Sequence, residues 1–403
     1  MDHVLSTGSI LPNTTLIIHR LKKALHIWGV LFMLAGMFSI PFQFHLLGFV
    51  TTIQRSLFLP VSETLAGIFG QQLLLTDLSS DSLGLYLLVL FLLLGTLPIA
   101  FLIKNKENLS HKLIRLLQVI APYYLALILL KYGFDKLFLV QFPQPGPNLL
   151  YTPFGQQEKD ILFWSVMGLS KGYMAFTGIA EIISALFLLF KQTRTFGAIL
   201  SVIVFVHVLA INLSFDISVK LYSSFLLLLS AYLTIPFLLW LYRSLKNGAS
   251  TLHFSQNTTD FKGKKYVKGT LLLIILLEVF TPYATTESAQ KVPNLAFEIV
   301  DPHNGNQSFG KLYFHEDGFL ILQDKNYQTS TYPILSFSKE QEYLIIEKSG
   351  QLKTLSFKKT GDQIYEISHP ELNVYLNCNQ LEIEKLPALQ DNFHLTVDEL
   401  IVH

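Results

Sequence analysis

Ionisable side chains set inside long apolar runs are the groups of this chain best suited to chemistry. One run, residues 112–140, holds Lys131, Asp135 and Lys136, and Tyr124, Leu127, Lys131 and Asp135 share one face at steps of three and four. The next, 163–190, holds Ser170, Tyr173, Thr177, Glu181 and Ser184 at steps of 3, 4, 4 and 3. A third, 195–213, holds His207 and Asn212. The fourth opens after Asp216 and carries Lys220, Ser223, Ser230 and Thr234. Charge in hydrocarbon is costly, so such residues face a bundle interior, pair with one another, or line a path for protons or ligands. Four consecutive helices with one polar face each predict a four-helix bundle around a polar cavity. The candidate ligand-binding or proton-transfer residues are Lys131, Lys136, Tyr173, Glu181, His207, Asn212, Asp216 and Lys220.

Each has a plainer reading beside the chemical one. Lysines near a span end snorkel to the interface. Glu181 is either a neutral carboxyl or the partner of a lysine. Asp216 and Lys220, four apart, suit a first-turn acid with a local ion pair. A lone His207 does not make a haem site, because His26 and His45 only flank the first span.

Composition narrows the function classes. The single cysteine, Cys378, excludes an internal disulfide, a CxxC relay and a thiolate zinc cluster. It reads as a buried small hydrophobe. His303, His315, His369, His394 and His403 lack metal-ligand spacing and read as surface residues. A net charge of +1 gives no signal for nucleic acid.

The elements that must position these residues follow from hydropathy. Of 403 residues 51% are hydrophobic and 15% charged, against roughly 25% charged in soluble domains. Residues 1–290 carry 21 Lys+Arg and 13 Asp+Glu, and residues 291–403 carry 9 and 16. A membrane region followed by an acidic soluble domain explains the split. Spans of about 20 apolar residues are predicted at 24–44, 84–103, 112–140, 163–190, 195–213, 217–242 and 267–284. With the N-terminus in the cytoplasm, 15 of the 21 basic residues fall on the cytoplasmic side. Seven spans then place the C-terminal domain outside the cytoplasm.

Two long loops lie on the outer side. Within 45–83, Ile53 to Leu75 reads as an interfacial or partly re-entrant helix. Within 141–162, Pro143, Pro145, Pro147 and Pro153 predict an extended, lid-like loop. From Val292 short runs alternate with Glu316-Asp317-Gly318, Lys348-Ser349-Gly350 and Thr360-Gly361-Asp362, which predicts a small antiparallel sheet or sandwich. The organisation expected is 1–111, a two-helix region; 112–245, a four-helix core; 246–290, a cytoplasmic loop and seventh span; and 291–403, the β-rich domain.

Several strings also resemble a known family. They are Tyr123-Tyr124-Leu125-Ala126-Leu127, Lys131-Tyr132-Gly133-Phe134-Asp135-Lys136 and Gln141-Phe142-Pro143. Trp164, Met167-Gly168, Tyr173, Gly178, Glu181 and Arg194-Thr195 continue the match, and Asn212 to Ser223 closes it. Residues 20–245 resemble the DoxX family, in particular the larger DoxX-like membrane proteins of Bacteroidetes. The resemblance implies a four-helix membrane core in a bacterial inner membrane, and a redox-associated role with a quinone-like ligand. A thiol mechanism cannot carry over, because the membrane region holds no cysteine. The alternative is a non-enzymatic scaffold whose β domain binds a protein partner. Whether the chain is an enzyme stays open at this level.

Overall fold

The computed structural model describes residues 13–42, 48–68, 78–247, 263–285, 292–302, 309–338, 343–369 and 374–390. Its helices are α1 (Asn13–Ser39), α2 (Gly48–Ile68), α3 (Leu83–Ile103), α4 (Glu107–Leu137), α5 (Pro147–Leu150), α6 (Lys159–Leu169), α7 (Lys171–Leu189), α8 (Arg194–Ser214), α9 (Lys220–Asn247) and α10 (Lys264–Thr285). Among the described residues six helices are long and apolar enough to cross a membrane: α1 from Ile18, α3, α4, α7, α8 and α9 to Lys246. The chain is therefore a mainly helical, multi-pass membrane protein with a C-terminal β domain. The helix α10 stands at the position of the predicted seventh span.

One predicted span is corrected. Residues 163–190 form two helices, because Ser170 leaves helical geometry at φ −103°, ψ 82°. Its carbonyl accepts the amide of Met174 at 3.0 Å, so it takes the start position of α7, where serine is favoured. The apolar character of the sequence runs on across this break. The predicted helix Ile53 to Leu75 is observed as α2, and residues 69–77 lie outside the described part.

The chain divides into two compact units, 1–138 with 175–284 and 139–174 with 285–403. The helical unit has a continuous core that includes Val30, Leu88, Leu117, Leu129, Leu188 and Leu229. Polar side chains tie its helices to one another's backbones. The Trp28 Nε1 donates to the Leu93 carbonyl at 2.9 Å, and the Ser62 hydroxyl donates to the Gly84 carbonyl at 3.0 Å. Such bonds keep polar groups satisfied where water is absent.

The second unit contains eight strands: β1 (Leu295–Pro302), β2 (Phe309–His315), β3 (Phe319–Asp324), β4 (Thr329–Ser338), β5 (Tyr343–Lys348), β6 (Gln351–Lys359), β7 (Ile364–His369) and β8 (Val374–Leu381). They pair antiparallel in sequence order, and β1 also pairs with β8, which closes a barrel. The expectation of a sheet or sandwich is thus replaced by a closed barrel, which leaves no unpaired edge. The interior holds Phe297, Phe314, Phe337 and Phe357 in mutual ring contact, with Phe337 stacked on Phe357 at 5.4 Å. Ser349 and Gly350, at φ 53° and 75°, make the tight turn between β5 and β6.

Part of this barrel is also covered on its outside. Tyr313, Ala296 and Ile321 point away from the phenylalanine core and pack with Tyr151. The Tyr313 hydroxyl donates to Gln323 Oε1 at 2.8 Å, and Gln323 Nε2 donates to the Thr152 hydroxyl at 2.8 Å. The Tyr151 ring stacks on that of Tyr313 at 6.4 Å. The proline-rich segment is therefore not simply extended. Pro147 opens the short helix α5, where a missing N–H costs nothing, and the residues after it seal one wall of the barrel.

Candidate functional site

Helices α4 and α7 cross at two glycines. A Cβ on Gly178 would lie 2.7 Å from the Gly133 carbonyl oxygen, and one on Gly133 would lie 2.8 Å from that of Gly178. Small residues let membrane helices approach backbone to backbone. That approach brings Lys136 of α4 to Glu181 of α7. The lysine Nζ is 2.9 Å from each carboxylate oxygen. Both side chains are more than nine-tenths buried. One turn earlier on α4, Lys131 forms an ion pair with Asp135. Two lysines and two carboxylates thus neutralise one another within about one and a half turns of α4.

Aromatic rings extend from this centre. The Lys136 ammonium sits 5.4 Å from the centroid of Tyr132. Tyr132 meets Phe42 edge to face at 5.5 Å, and Phe42 stacks on Tyr222 at 5.6 Å. The Tyr222 and Tyr124 hydroxyls are 3.2 Å apart. Three tyrosines and a phenylalanine thus carry the site from α4 toward α9.

The other candidates fall elsewhere. Asn212 is buried, and its amide donates to the Ser223 hydroxyl at 3.1 Å, joining α8 to α9. Asp216 adopts φ 55° in the tight connection between those helices, and Lys220 Nζ bridges to it at 2.7 Å. Tyr173 and His207 are exposed. The predicted polar stripe of α7 is therefore corrected. The buried face runs through Met174, Gly178, Glu181, Ala185 and Leu188, whereas Ser170 and Tyr173 lie off it. His207 sits within electrostatic reach of Glu181 without a hydrogen bond to it.

The hydroxyls predicted to form polar stripes are satisfied within their own helices. Ser184, Ser230 and Thr234 donate to carbonyls of their own helices, those of Ala180, Leu226 and Ala231, at 2.7–2.8 Å. A hydroxyl bonded to the preceding turn needs no other partner.

Two structural residues escape sequence reasoning. Asp81 accepts the backbone N–H groups of Lys220 and Leu221, each at 2.9 Å, and so caps α9 from a distant loop. Arg194, quoted above for its resemblance alone, is buried, donates to the Leu188 carbonyl at 3.2 Å and lies over the Tyr123 ring at 5.5 Å. An acid just before an apolar run is a visible signal for capping, but its target helix is not.

The chain has a bacterial relative. It is 29% identical over 106 residues to Uncharacterized protein YwoB of Bacillus subtilis (strain 168), across 26% of this chain and 67% of the relative. No protein-family profile and no solved structure matches.

Proposed function

We propose that this is a DoxX-like bacterial inner-membrane protein, a redox-associated subunit that binds a quinone-like small molecule beside Lys136 and Glu181. The observation that carries this reading is the buried pair itself, seated under the Tyr132 ring. A site whose charges cancel suits a neutral ligand, because it has no net charge to attract an anion or a cation. Lys136 donates hydrogen bonds to a carbonyl oxygen, Glu181 exchanges protons, and the tyrosine rings offer flat apolar faces. Quinone reduction consumes two electrons and two protons. The electrons come from a partner protein, because the sequence holds no GxGxxG, CxxCH or iron–sulfur cysteine set. In this reading α10 is a seventh span, the N-terminus is cytoplasmic and the barrel lies outside the cytoplasm.

Titration of purified protein in detergent with a short-chain quinone, read by tyrosine fluorescence, tests the proposal. Saturable binding by the wild type and weaker binding by Glu181→Gln support it. Absence of saturable binding by the wild type overturns it. The scaffold reading draws support from the exposed Val300, Leu335, Leu352 and Ile364 on the barrel. Crosslinking in membranes, with Leu352→Glu as comparison, tests it: a partner lost on substitution supports the scaffold, and an unchanged partner set counts against it.

A further inference from the structure

His207 takes no part in the ion pairs and caps above, and it interacts with Glu181 only through the field, without a hydrogen bond. His207 lies near the middle of α8, a candidate membrane span, and its side chain is exposed. Among the described residues nothing hydrogen-bonds to it. Ile203, His207, Ala210 and Ser214 are all exposed and recur at steps of 4, 3 and 4, so they form one face, with Val206 and Leu213 beside them. Hydrocarbon satisfies neither nitrogen of a neutral imidazole, which carries one donor and one acceptor.

We infer that this face of α8 is the contact between two copies of the chain, with the His207 imidazoles hydrogen-bonded across it. Three features select a second copy over another occupant. A neutral imidazole is complementary to itself, since the N–H of one ring donates to the free nitrogen of the other. A two-fold axis along the membrane normal sets both His207 residues at the same depth, which a closed, isologous pairing requires. Ala210 and Ser214, four apart on the same face, are small enough to let two helices approach closely. The remaining residues of the face are apolar and need only to pack.

The native chain simplifies the test, because its single cysteine is buried in the barrel. In a Cys378→Ser background, cysteines are placed at Ile203, at Val206 and, as a control, at exposed Leu94 of α3. Membranes are then treated with a mild oxidant. A covalent dimer of this chain is expected from Ile203→Cys and Val206→Cys and not from Leu94→Cys. Adding His207→Leu to Ile203→Cys lowers the dimer fraction about threefold or more, and His207→Gln, which keeps a donor and an acceptor, restores much of it. Monomer alone at both α8 positions, adducts only to other proteins, or equal dimer from Leu94→Cys overturns the inference. The α8 positions with His207 intact decide between these outcomes even where His207→Leu fails to accumulate.

Discussion

Lys136 places its ammonium the same distance, 2.9 Å, from both carboxylate oxygens of Glu181, although 45 residues separate them. The pair exists because Gly133 and Gly178 let two helix backbones meet one turn away. Removing either partner leaves a buried charge alone. Glu181→Ala is expected to cost about 3–5 kcal/mol. The double variant Lys136→Met/Glu181→Met is expected to recover most of that loss, since replacing a buried pair with apolar groups is often neutral. Unfolding in mild detergent against a denaturing detergent measures both. A double-variant loss equal to the sum of the losses in Lys136→Met and Glu181→Met alone would show that the two residues are not coupled.

Gly178 tests the crossing directly. A methyl group there meets the Gly133 carbonyl at 2.7 Å and Lys136 Cβ at 3.2 Å, neither of which is a flexible side-chain end. Gly178→Ala is expected to cost about 1–3 kcal/mol by forcing the helices apart. Gly172→Ala is the control, because a Cβ there meets nothing within 4 Å. The unfolding midpoints of the two variants should separate clearly.

Asp81 offers a capping test at long range. It accepts two backbone N–H groups of α9 and stands 3.5 Å from Lys220 Nζ. Asp81→Ala is expected to lose about 1–2 kcal/mol, the upper range for a lost cap. Asp81→Asn keeps one acceptor and should lose less. Faster hydrogen exchange at the amides of Lys220 and Leu221 in Asp81→Ala is the local signature.

How much of this is legible in the sequence depends on the residue. The span at 84–103 is observed as Leu83–Ile103, and that at 195–213 as Arg194–Ser214, because apolar length is a one-dimensional signal. The break at Ser170 is a change of backbone angle inside apolar composition, and hydropathy does not register it. Steps of three and four predict that Tyr173 and Glu181 share one face. They do not say which arc of the helix is covered, so Tyr173 emerges exposed and Met174 buried. Sequence leaves Glu181 as either a neutral carboxyl or the partner of an unnamed lysine, and it is the helix crossing that selects pairing with Lys136 over Lys131. The tail reads as antiparallel strands from its turns. Closure of β1 on β8, and the cover that Tyr151 lays over Tyr313, both depend on contacts far apart in the chain.

That cover predicts a local effect of losing one hydroxyl. Tyr313→Phe removes the donor to Gln323 Oε1, and Gln323 is 1% exposed, so water does not replace it. About 1–3 kcal/mol is expected from the orphaned acceptor. In the full-length protein, hydrogen exchange across residues 309–324 should accelerate, while the helical unit stays unchanged. Uniform acceleration across the chain would count against a local role.

Cys378 gives a pH-dependent test of the barrel core. Burial pushes its thiol up from 9.0 to about 12. The thiolate is the reactive form, so at pH 9 about half of an ordinary thiol is ionised but only about a thousandth of this one. Folded protein should therefore resist iodoacetamide up to pH 9, with labelling at least ~100-fold slower than in denaturant. The linkage has a definite sign. A folded pKa above the unfolded one favours the fold below pH 9, and that contribution is lost as pH rises from 9.0 toward about 12. Cys378→Ala lacks this thiol, so its stability should fall less steeply than that of the wild type across the same window. Fast labelling of the native protein at pH 8 would show that the cysteine is not enclosed by the eight strands.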